Sequence, residues 1–255
     1  MKKIRHTLSR YLAAASNKLS TERKGLRGDI PELTPADEAL LGRIRGLSMS
    51  EPVAQWEFIR AVRHIEARGI PGDIVECGVW RGGHLALAGM LRNELGFDRR
   101  IWAFDTFAGM TAPTEHDRKS VNEVDVDAKF ADLDRGGHND WCYASIEDVR
   151  HNFAALAGQD AELRTIKGPV QETLLDPANL PDKIAILRLD TDFYDSTKAE
   201  MEILFPRLSP GGVLIIDDYG HWAGARKAVD EYFAAHPPAL LLTRVDYTAR
   251  IAVKL

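Results

Sequence analysis

The stretch Leu187–Gly220, LRLDTDFYDSTKAEMEILFPRLSPGGVLIIDDYG, contains two apolar strands, each followed by acidic residues. Asp190 and Asp192 follow the first strand, and Asp217 and Asp218 follow the second. Neighbouring strands of a sheet lie about 4.8 Å apart, and open α/β sheets bind ligands beyond the carboxyl ends of their strands. We therefore expect four carboxylates to meet at one sheet edge, where they can surround a hard divalent cation.

Strands and helices alternate on both sides of this stretch. The predicted strands are Ile74–Glu76, Ile101–Asp105, Leu163–Ile166, Ile184–Asp190 and Val213–Asp217, and the predicted helices between them are Leu85–Leu95, Ser145–Leu156, Ser196–Phe205 and Ala223–Ala235. Such alternation implies right-handed crossovers and a parallel, doubly wound α/β sheet. The β runs Leu240–Val245 and Thr248–Leu255 predict an antiparallel hairpin at its edge.

Composition limits the class of protein. The chain has 255 residues, 45% of them hydrophobic, and a net charge of -5, which gives no field that would gather nucleic acid. It contains no run of about 18 apolar residues, so stable membrane insertion is not expected. Two cysteines, Cys77 and Cys142, form neither a disulfide framework nor a zinc spacing, which indicates a reducing, cytoplasmic location.

The N-terminal end differs in charge from the rest. The first 27 residues carry eight lysines and arginines against one acid, Glu22. We predict a basic extension over residues 1–46, acting as a mobile arm or as a subunit-packing arm of a homo-oligomer, with weak contact to a membrane surface as the alternative. An amphipathic helix over Glu51–Ala67 then leads into one domain spanning residues 47–255.

The segment over residues 106–143 is rich in Asp, Glu, His and Gly. It is too long for an ordinary connection, and long loops inside compact domains are usually functional or disordered. Its place after the second strand predicts a lid over a ligand at the sheet edge. A plain solvated insertion is the alternative.

The first strand ends in the sequence ECGVWRGG, Glu76–Gly83. A dinucleotide fold would place a glycine where the pyrophosphate passes, but Val79 and Trp80 occupy that space. A cofactor without phosphates fits better, and S-adenosylmethionine is one, with Glu76 facing its cationic end. Asp105 ends the second strand, where an acid binds ribose hydroxyls in such folds. A purely structural tight turn is the alternative.

Four motifs in order resemble one known family. They are Gly69–Gly83 (GIPGDIVECGVWRGG), Phe104–Gly109 (FDTFAG), Leu189–Thr197 (LDTDFYDST) and Pro206–Gly220 (PRLSPGGVLIIDDYG). Together they resemble the macrocin O-methyltransferase family of antibiotic-sugar methyltransferases, which includes the novobiocin-sugar enzyme. The resemblance implies a Rossmann-like class I methyltransferase that uses S-adenosylmethionine and Mg²⁺ to methylate a sugar hydroxyl.

The resemblance also implies roles for single residues. The cofactor-binding residues would be Ser48, Met49, Glu76, Cys77, Gly78, Val79, Trp80, Asp105, Thr106 and, near the adenine, Ser145. Asp190, Asp217 and Asp218 match the family's magnesium ligands, and Asp192 matches its proposed general base. The chain departs from the family pattern within Lys167–Leu174, because an aromatic residue is expected near positions 169 and 170.

The chemistry can also be derived from the residue types. An alkyl hydroxyl has a pKa of roughly 15.7, and a bound divalent metal lowers such values. Asp192 could then accept the proton, and His221 is the rival base because imidazole titrates near neutral pH. Trp222 is either a stacking surface for the acceptor or a core anchor. His84, His116 and His138 lack ligand spacing and are assigned no role.

The sequence thus predicts a magnesium-dependent O-methyltransferase that uses S-adenosylmethionine and acts on a sugar or a small-molecule glycoside. One alternative keeps the cofactor and metal but uses a catechol-like phenol as acceptor. Another is a non-catalytic nucleoside- or glycan-binding module of the same fold, against which the four intact acids argue. Hydride transfer ranks lower because Val79 and Trp80 crowd the pyrophosphate position.

Overall fold

The computed structural model describes residues 29–118, 125–159, 161–237 and 240–255. The basic residues of the N-terminal extension up to residue 27 lie outside these ranges. The strands are β1 (Asp73–Cys77), β2 (Ile101–Asp105), β3 (Leu163–Lys167), β4 (Ile184–Leu189), β5 (Leu208–Ile216), β6 (Thr243–Arg244) and β7 (Arg250–Val253).

These strands form one sheet with the order β3-β2-β1-β4-β5-β7-β6. Strands β1 to β5 are parallel, while β7 runs antiparallel to β5 and β6 antiparallel to β7. The predicted doubly wound sheet with an antiparallel C-terminal hairpin is confirmed. The order changes direction between β1 and β4, so this is the switch point beyond which ligands are expected to bind.

The helices are α1 (Pro35–Arg43), α2 (Pro52–Ala67), α3 (Gly83–Leu95), α4 (Val126–Leu133), α5 (Ile146–Ala157), α6 (Val170–Thr173), α7 (Tyr194–Ile203) and α8 (Ala223–Ala235), with short 3₁₀ turns at Pro177–Asn179 and Phe205–Arg207. Ser145 caps α5, since its side chain accepts a hydrogen bond from the backbone nitrogen of Asp148 at 3.1 Å. None of the helices in the described ranges combines the length and the apolar character that a membrane span requires.

The two faces of the sheet bury separate hydrophobic clusters, as the period of two along a strand requires. In β4, Ile186 packs on the face covered by α1, α2, α3 and α5, and Leu187 packs on the face covered by α7 and α8. Leu41 and Ile44 belong to the first cluster. The core therefore begins before residue 47, which is the predicted first residue of the domain.

The described part of the insertion at 106–143 is packed rather than loose. Trp141 and Val126 form a third buried cluster with Phe193, which follows β4, and Trp222, which follows β5. The backbone nitrogen of Asn139 donates to the carbonyl oxygen of Ala108 at 2.7 Å, which closes the two ends of the insertion. The insertion is thereby held against the loops at the carboxyl edge of the sheet.

Candidate active site

Two clefts meet at the carboxyl ends of β1, β2, β4 and β5. The first encloses about 680 Å³ and the second about 880 Å³. Four residues line both clefts, namely Met49, Trp80, Asp190 and Asp192. A group bound in one cleft can therefore reach a group bound in the other across this shared wall.

The first cleft contains much of the predicted cofactor site. Gly78, Trp80, Asp105 and Thr106 line it. Gly78 has φ +78°, and a Cβ atom there would lie 2.0 Å from the carbonyl oxygen of Asp190. Glycine is required because the ends of β1 and β4 approach too closely for any side chain.

Asp105 organises the turn that follows β1. Its Oδ2 accepts a hydrogen bond from the backbone nitrogen of Val79 at 2.7 Å, and its Oδ1 accepts one from that of Phe107 at 2.7 Å. Burial raises the pKa of Asp105, although these hydrogen bonds lower it. The carboxylate thus holds the glycine turn in place while it lines the cleft.

Glu76 is 2% exposed and lines the second cleft. Its Oε1 accepts a hydrogen bond from Nη1 of Arg188 at 2.7 Å, while its buried Oε2 accepts none from the described residues. Burial raises the pKa of Glu76 to about 7, against the lowering effect of Arg188. A buried carboxylate oxygen without a partner is costly, so Glu76 fits the cationic end of S-adenosylmethionine.

The other predicted cofactor residues fall into two groups. Ser48, Met49 and Val79 line the clefts, and Met49 is 61% exposed between them. Cys77 is fully buried, and neither it nor the helix cap Ser145 lines either cleft. At positions 169 and 170 the family pattern has an aromatic residue nearby, but this chain has Pro169 and Val170. Both of these residues line the first cleft.

Three of the four predicted acids come together. Asp190, Asp192 and Asp218 each present an oxygen within 4.8 Å of the other two. Asp217, which we grouped with Asp190 and Asp218, instead accepts a hydrogen bond on Oδ1 from Nη2 of Arg188 at 2.6 Å. The four acids thus lie at one edge of the sheet, but Asp217 is not a member of the group of three, and Arg188 links it to Asp190.

Burial and mutual repulsion raise the pKa values of the three acids that lie together. Burial and the charges of Asp190 and Asp217 raise the pKa of Asp192 to about 7, and burial also raises the pKa values of Asp190 and Asp218 well above their usual range. The neighbouring charge of Asp192 and its hydrogen bond with Asp218 raise the pKa of Asp218 further. Oδ2 of Asp218 is buried and accepts no hydrogen bond from the described residues. A cluster of carboxylate oxygens fits Mg²⁺, which prefers oxygen ligands.

Arg188 is the main residue that the sequence analysis missed. It lies in β4 in register with Glu76 of β1, and its side chain is 1% exposed. Besides Glu76 and Asp217, it donates to Oδ2 of Asp190 at 2.6 Å. An arginine inside the apolar run IAILRLD, Ile184–Asp190, was the available signal, because buried charges are rare unless they are paired.

Aromatic side chains also line the second cleft. Trp222 is 3% exposed and packs edge-on against Phe193 with ring centres 5.4 Å apart, so it anchors the third cluster. The ring of His221 lies 5.1 Å from that of Trp222 and 5.8 Å from that of Tyr247. The cleft is lined by Trp222, His221 and Tyr247, together with Lys129 from the insertion.

Two buried residues near the site, His84 and Glu200, have no role in the predictions made from the sequence. Nδ1 of His84 lies 3.6 Å from Oε1 of Glu76, and burial holds the pKa of His84 well below its usual range, so the ring is neutral. Glu200 of α7 accepts a hydrogen bond from the hydroxyl of Thr191 at 2.9 Å. His84 itself lines the second cleft, and Glu200 supports Thr191, which lines the first.

Comparison with known proteins identifies the family. The profile described as Macrocin-O-methyltransferase (TylF) matches residues 12–253. The 8-demethyl-8-(2,3-dimethoxy-alpha-L-rhamnosyl)-tetracenomycin-C 4'-O-methyltransferase of Streptomyces olivaceus is 36% identical over 190 residues, covering 73% of this chain and 67% of that protein. The demethyldecarbamoylnovobiocin O-methyltransferase of Streptomyces niveus is 34% identical over 198 residues, covering 76% of this chain and 71% of that protein.

Solved structures agree with this assignment. The O-methyltransferase NovP superposes with a TM-score of 0.70 at 31% sequence identity over 82% of both chains. CalS11, a calicheamicin methyltransferase, shares the fold with a TM-score of 0.59 at 19% identity, covering 88% of this chain and 94% of that one. The chain therefore belongs to the macrocin O-methyltransferase family and is an S-adenosylmethionine-dependent O-methyltransferase.

Proposed function

We propose that the protein methylates a sugar hydroxyl of a glycosylated small molecule, with Mg²⁺ bound at the acidic edge of the sheet. The observation that carries the proposal is the wall of Asp190 and Asp192 shared by the two clefts. The names of the relatives support a glycoside acceptor, because one of them methylates a rhamnosyl tetracenomycin.

The first cleft would hold the adenosine part of S-adenosylmethionine, and the methionine end would extend past Met49 and Trp80 into the second cleft, beside the acceptor. Asp105 would bind the ribose hydroxyls in the first cleft, and the unpartnered Oε2 of Glu76 would face the ammonium group in the second. Met49 and Trp80 lie between the clefts and would exclude water from the reacting atoms. When bound, the cofactor supplies an electrophilic methyl group and Mg²⁺ lowers the pKa of a hydroxyl oxygen.

The magnesium ligands we propose are Asp190 and Asp218, with Asp217 as the third ligand implied by the family motif. Asp190 and Asp218 belong to the group of carboxylates that lies together, and Oδ2 of Asp218 accepts no hydrogen bond from the described residues. Asp217 would contribute while its Oδ1 remains hydrogen bonded to Arg188.

Asp192 is our proposed general base. Its pKa is raised to about 7, and a base titrating near neutral pH is well matched to proton removal. Its backbone has φ +66°, a left-handed conformation that is costly for most residues and is found at functional sites. Asp192 would take the proton from the acceptor hydroxyl as the oxygen attacks the methyl carbon. His221, in the same cleft, remains the second candidate.

Acceptor profiling tests the proposal. The protein is incubated with S-adenosylmethionine and Mg²⁺ and with either rhamnosyl and related deoxysugar glycosides or catechols, and products are analysed by mass spectrometry for the gain of one methyl group. Methylated glycosides and loss of activity with a chelator are expected. Methylation of catechols alone would refute the sugar acceptor, and full activity in chelator would refute the metal.

A further inference from the structure

Arg188 is aligned with three acids on one face of the sheet. It lies in register with Glu76 on β1 and with Ile215 on β5. Residues two apart in a strand point to the same face, so Asp190, two residues after Arg188, shares this face. Asp217 follows two residues after Ile215. One buried guanidinium therefore serves carboxylates from three neighbouring strands or strand ends.

The guanidinium uses both of its terminal nitrogens fully. Nη1 donates to Oε1 of Glu76 at 2.7 Å and to Oδ2 of Asp190 at 2.6 Å. Nη2 donates to Oδ1 of Asp217 at 2.6 Å and to Oγ of Ser50 at 2.8 Å. The planar fork of arginine can serve four acceptors at fixed angles, whereas lysine carries three donors on one atom. The arrangement therefore depends on the shape of the side chain as well as on its charge.

The three carboxylates that accept hydrogen bonds from Arg188 are expected to bind different ligands. Glu76 is the carboxylate expected to face the cofactor, while Asp190 and Asp217 are expected to bind the metal. Arg188 occupies only Oε1 of Glu76, and Oε2 accepts no hydrogen bond from the described residues. Within the described ranges Arg188 donates no hydrogen bond to Asp218, and Oδ2 of Asp218 accepts none there. The guanidinium thus holds one oxygen of each of its three carboxylates and leaves Oε2 of Glu76 available to a ligand.

We propose that Arg188 is a positioning residue that fixes the cofactor carboxylate and the metal carboxylates relative to each other. Loss of the fork then weakens the binding of both ligands even when the positive charge is kept. This inference rests on the proposed function, because it assumes that Glu76 faces the cofactor and that the aspartates hold a divalent cation.

Direct binding measurements on Arg188→Lys test the proposal, since this variant keeps the charge and removes the fork. We expect at least tenfold weaker binding of S-adenosylhomocysteine by calorimetry and of Mn²⁺ by electron paramagnetic resonance, with folding verified by circular dichroism. Arg99→Lys is the matched control. Arg99 pairs with Glu66, and its Nη1 donates to the carbonyl oxygen of Gly72 at 2.6 Å. Because these partners lie away from both clefts, binding by this variant stays within twofold of the wild type.

A second variant covers the outcome in which Arg188→Lys does not fold. Ser50→Ala keeps every charge and removes one acceptor of Nη2, together with the hydrogen bond that the Ser50 hydroxyl donates to Oδ1 of Asp217 at 3.3 Å. We expect several-fold weaker Mn²⁺ binding with little change in melting temperature. A folded variant that binds both ligands as the wild type does would overturn the inference. Failure of the wild-type protein to bind S-adenosylhomocysteine would instead count against the proposed function, so the two failures are distinguishable.

Discussion

Oδ1 of Asp117, in the insertion, lies 2.7 Å from the backbone nitrogen of Tyr194, the first residue of α7. Oδ2 of the same carboxylate accepts hydrogen bonds from the backbone nitrogen and the hydroxyl of Thr114, each at 2.7 Å. A Cβ atom at Gly224 in α8 would lie 2.1 Å from Oδ1, so this glycine makes room for the carboxylate. Asp117 therefore ties the insertion to the helices that follow β4 and β5.

Replacing Asp117 should loosen this attachment. Asp117 is 1% exposed, so Asp117→Ala leaves buried donors unpaired and should lower the free energy of unfolding by about 2 kcal/mol. If the insertion covers the acceptor, KM for the acceptor rises as well. Asp132→Ala, at an exposed position in the same insertion, is the control in urea unfolding and kinetics. Equal stability of the two variants would contradict the prediction.

Asp192→Asn tests the base. Loss of a general base typically lowers kcat by about 10² to 10⁴-fold, while affinity for S-adenosylhomocysteine should stay near the wild-type value. His221→Gln, in the same cleft, should have a much smaller effect on kcat. Steady-state kinetics and calorimetry on both variants check this. A larger loss of kcat in His221→Gln would transfer the role of base to the imidazole.

Asp217 and Asp218 are neighbours in sequence but differ in their surroundings, and this predicts different effects on metal affinity. Asp218→Asn removes a member of the carboxylate group and should weaken Mn²⁺ binding by at least about tenfold. Asp217→Asn should weaken it less, because one of its oxygens is already held by Arg188. Turnover should fall in both variants, with cofactor affinity retained. A greater loss of metal binding in Asp217→Asn would reverse the assignment.

The raised pKa values predict how magnesium stabilises the protein at different pH. Burial raises the pKa values of Glu76 and Asp192 to about 7, from usual values of about 4. Between about pH 4 and 7 these two groups hold more protons in the native metal-free protein than in the unfolded chain, so their contribution to the free energy of unfolding falls as pH rises. A cation bound to the deprotonated acids opposes this loss. The increase in Tm on adding Mg²⁺ should therefore be larger at about pH 8 than at about pH 5.5, and the opposite trend would argue against a metal at these acids.

Two glycines with similar backbone angles separate backbone strain from close packing. Gly78 has φ +78°, and a side chain there meets the carbonyl oxygen of Asp190, whereas Gly96 has φ +72° with no atom within 4 Å. Gly96→Ala should cost about 1 to 2 kcal/mol of unfolding free energy, and Gly78→Ala about 3 to 5 kcal/mol because a steric clash is added. Urea unfolding measures both. Only Gly78→Ala should also lose S-adenosylhomocysteine binding.

The fold was predictable because its signals are local. The alternation of apolar strands with amphipathic helices indicated the parallel sheet, and the acids after β4 and β5 indicated the ligand edge. The predicted ends of helices were less accurate where a residue distant in sequence fixes them. Helix α7 begins at Tyr194 rather than Ser196, and the backbone nitrogen of Tyr194 is capped by Asp117, 77 residues away in sequence.

The sequence by itself determined which carboxylates reach the edge of the sheet, since a residue that follows an apolar strand of a parallel sheet must lie there. Only the tertiary structure decided which of these carboxylates contact Arg188 and which lie together as a group. Strand register places Arg188 beside Glu76 and within reach of Asp190 and Asp217, while Asp190 also lies with Asp192 and Asp218. Register depends on the packing of strands far apart in the chain, and no local pattern encodes it.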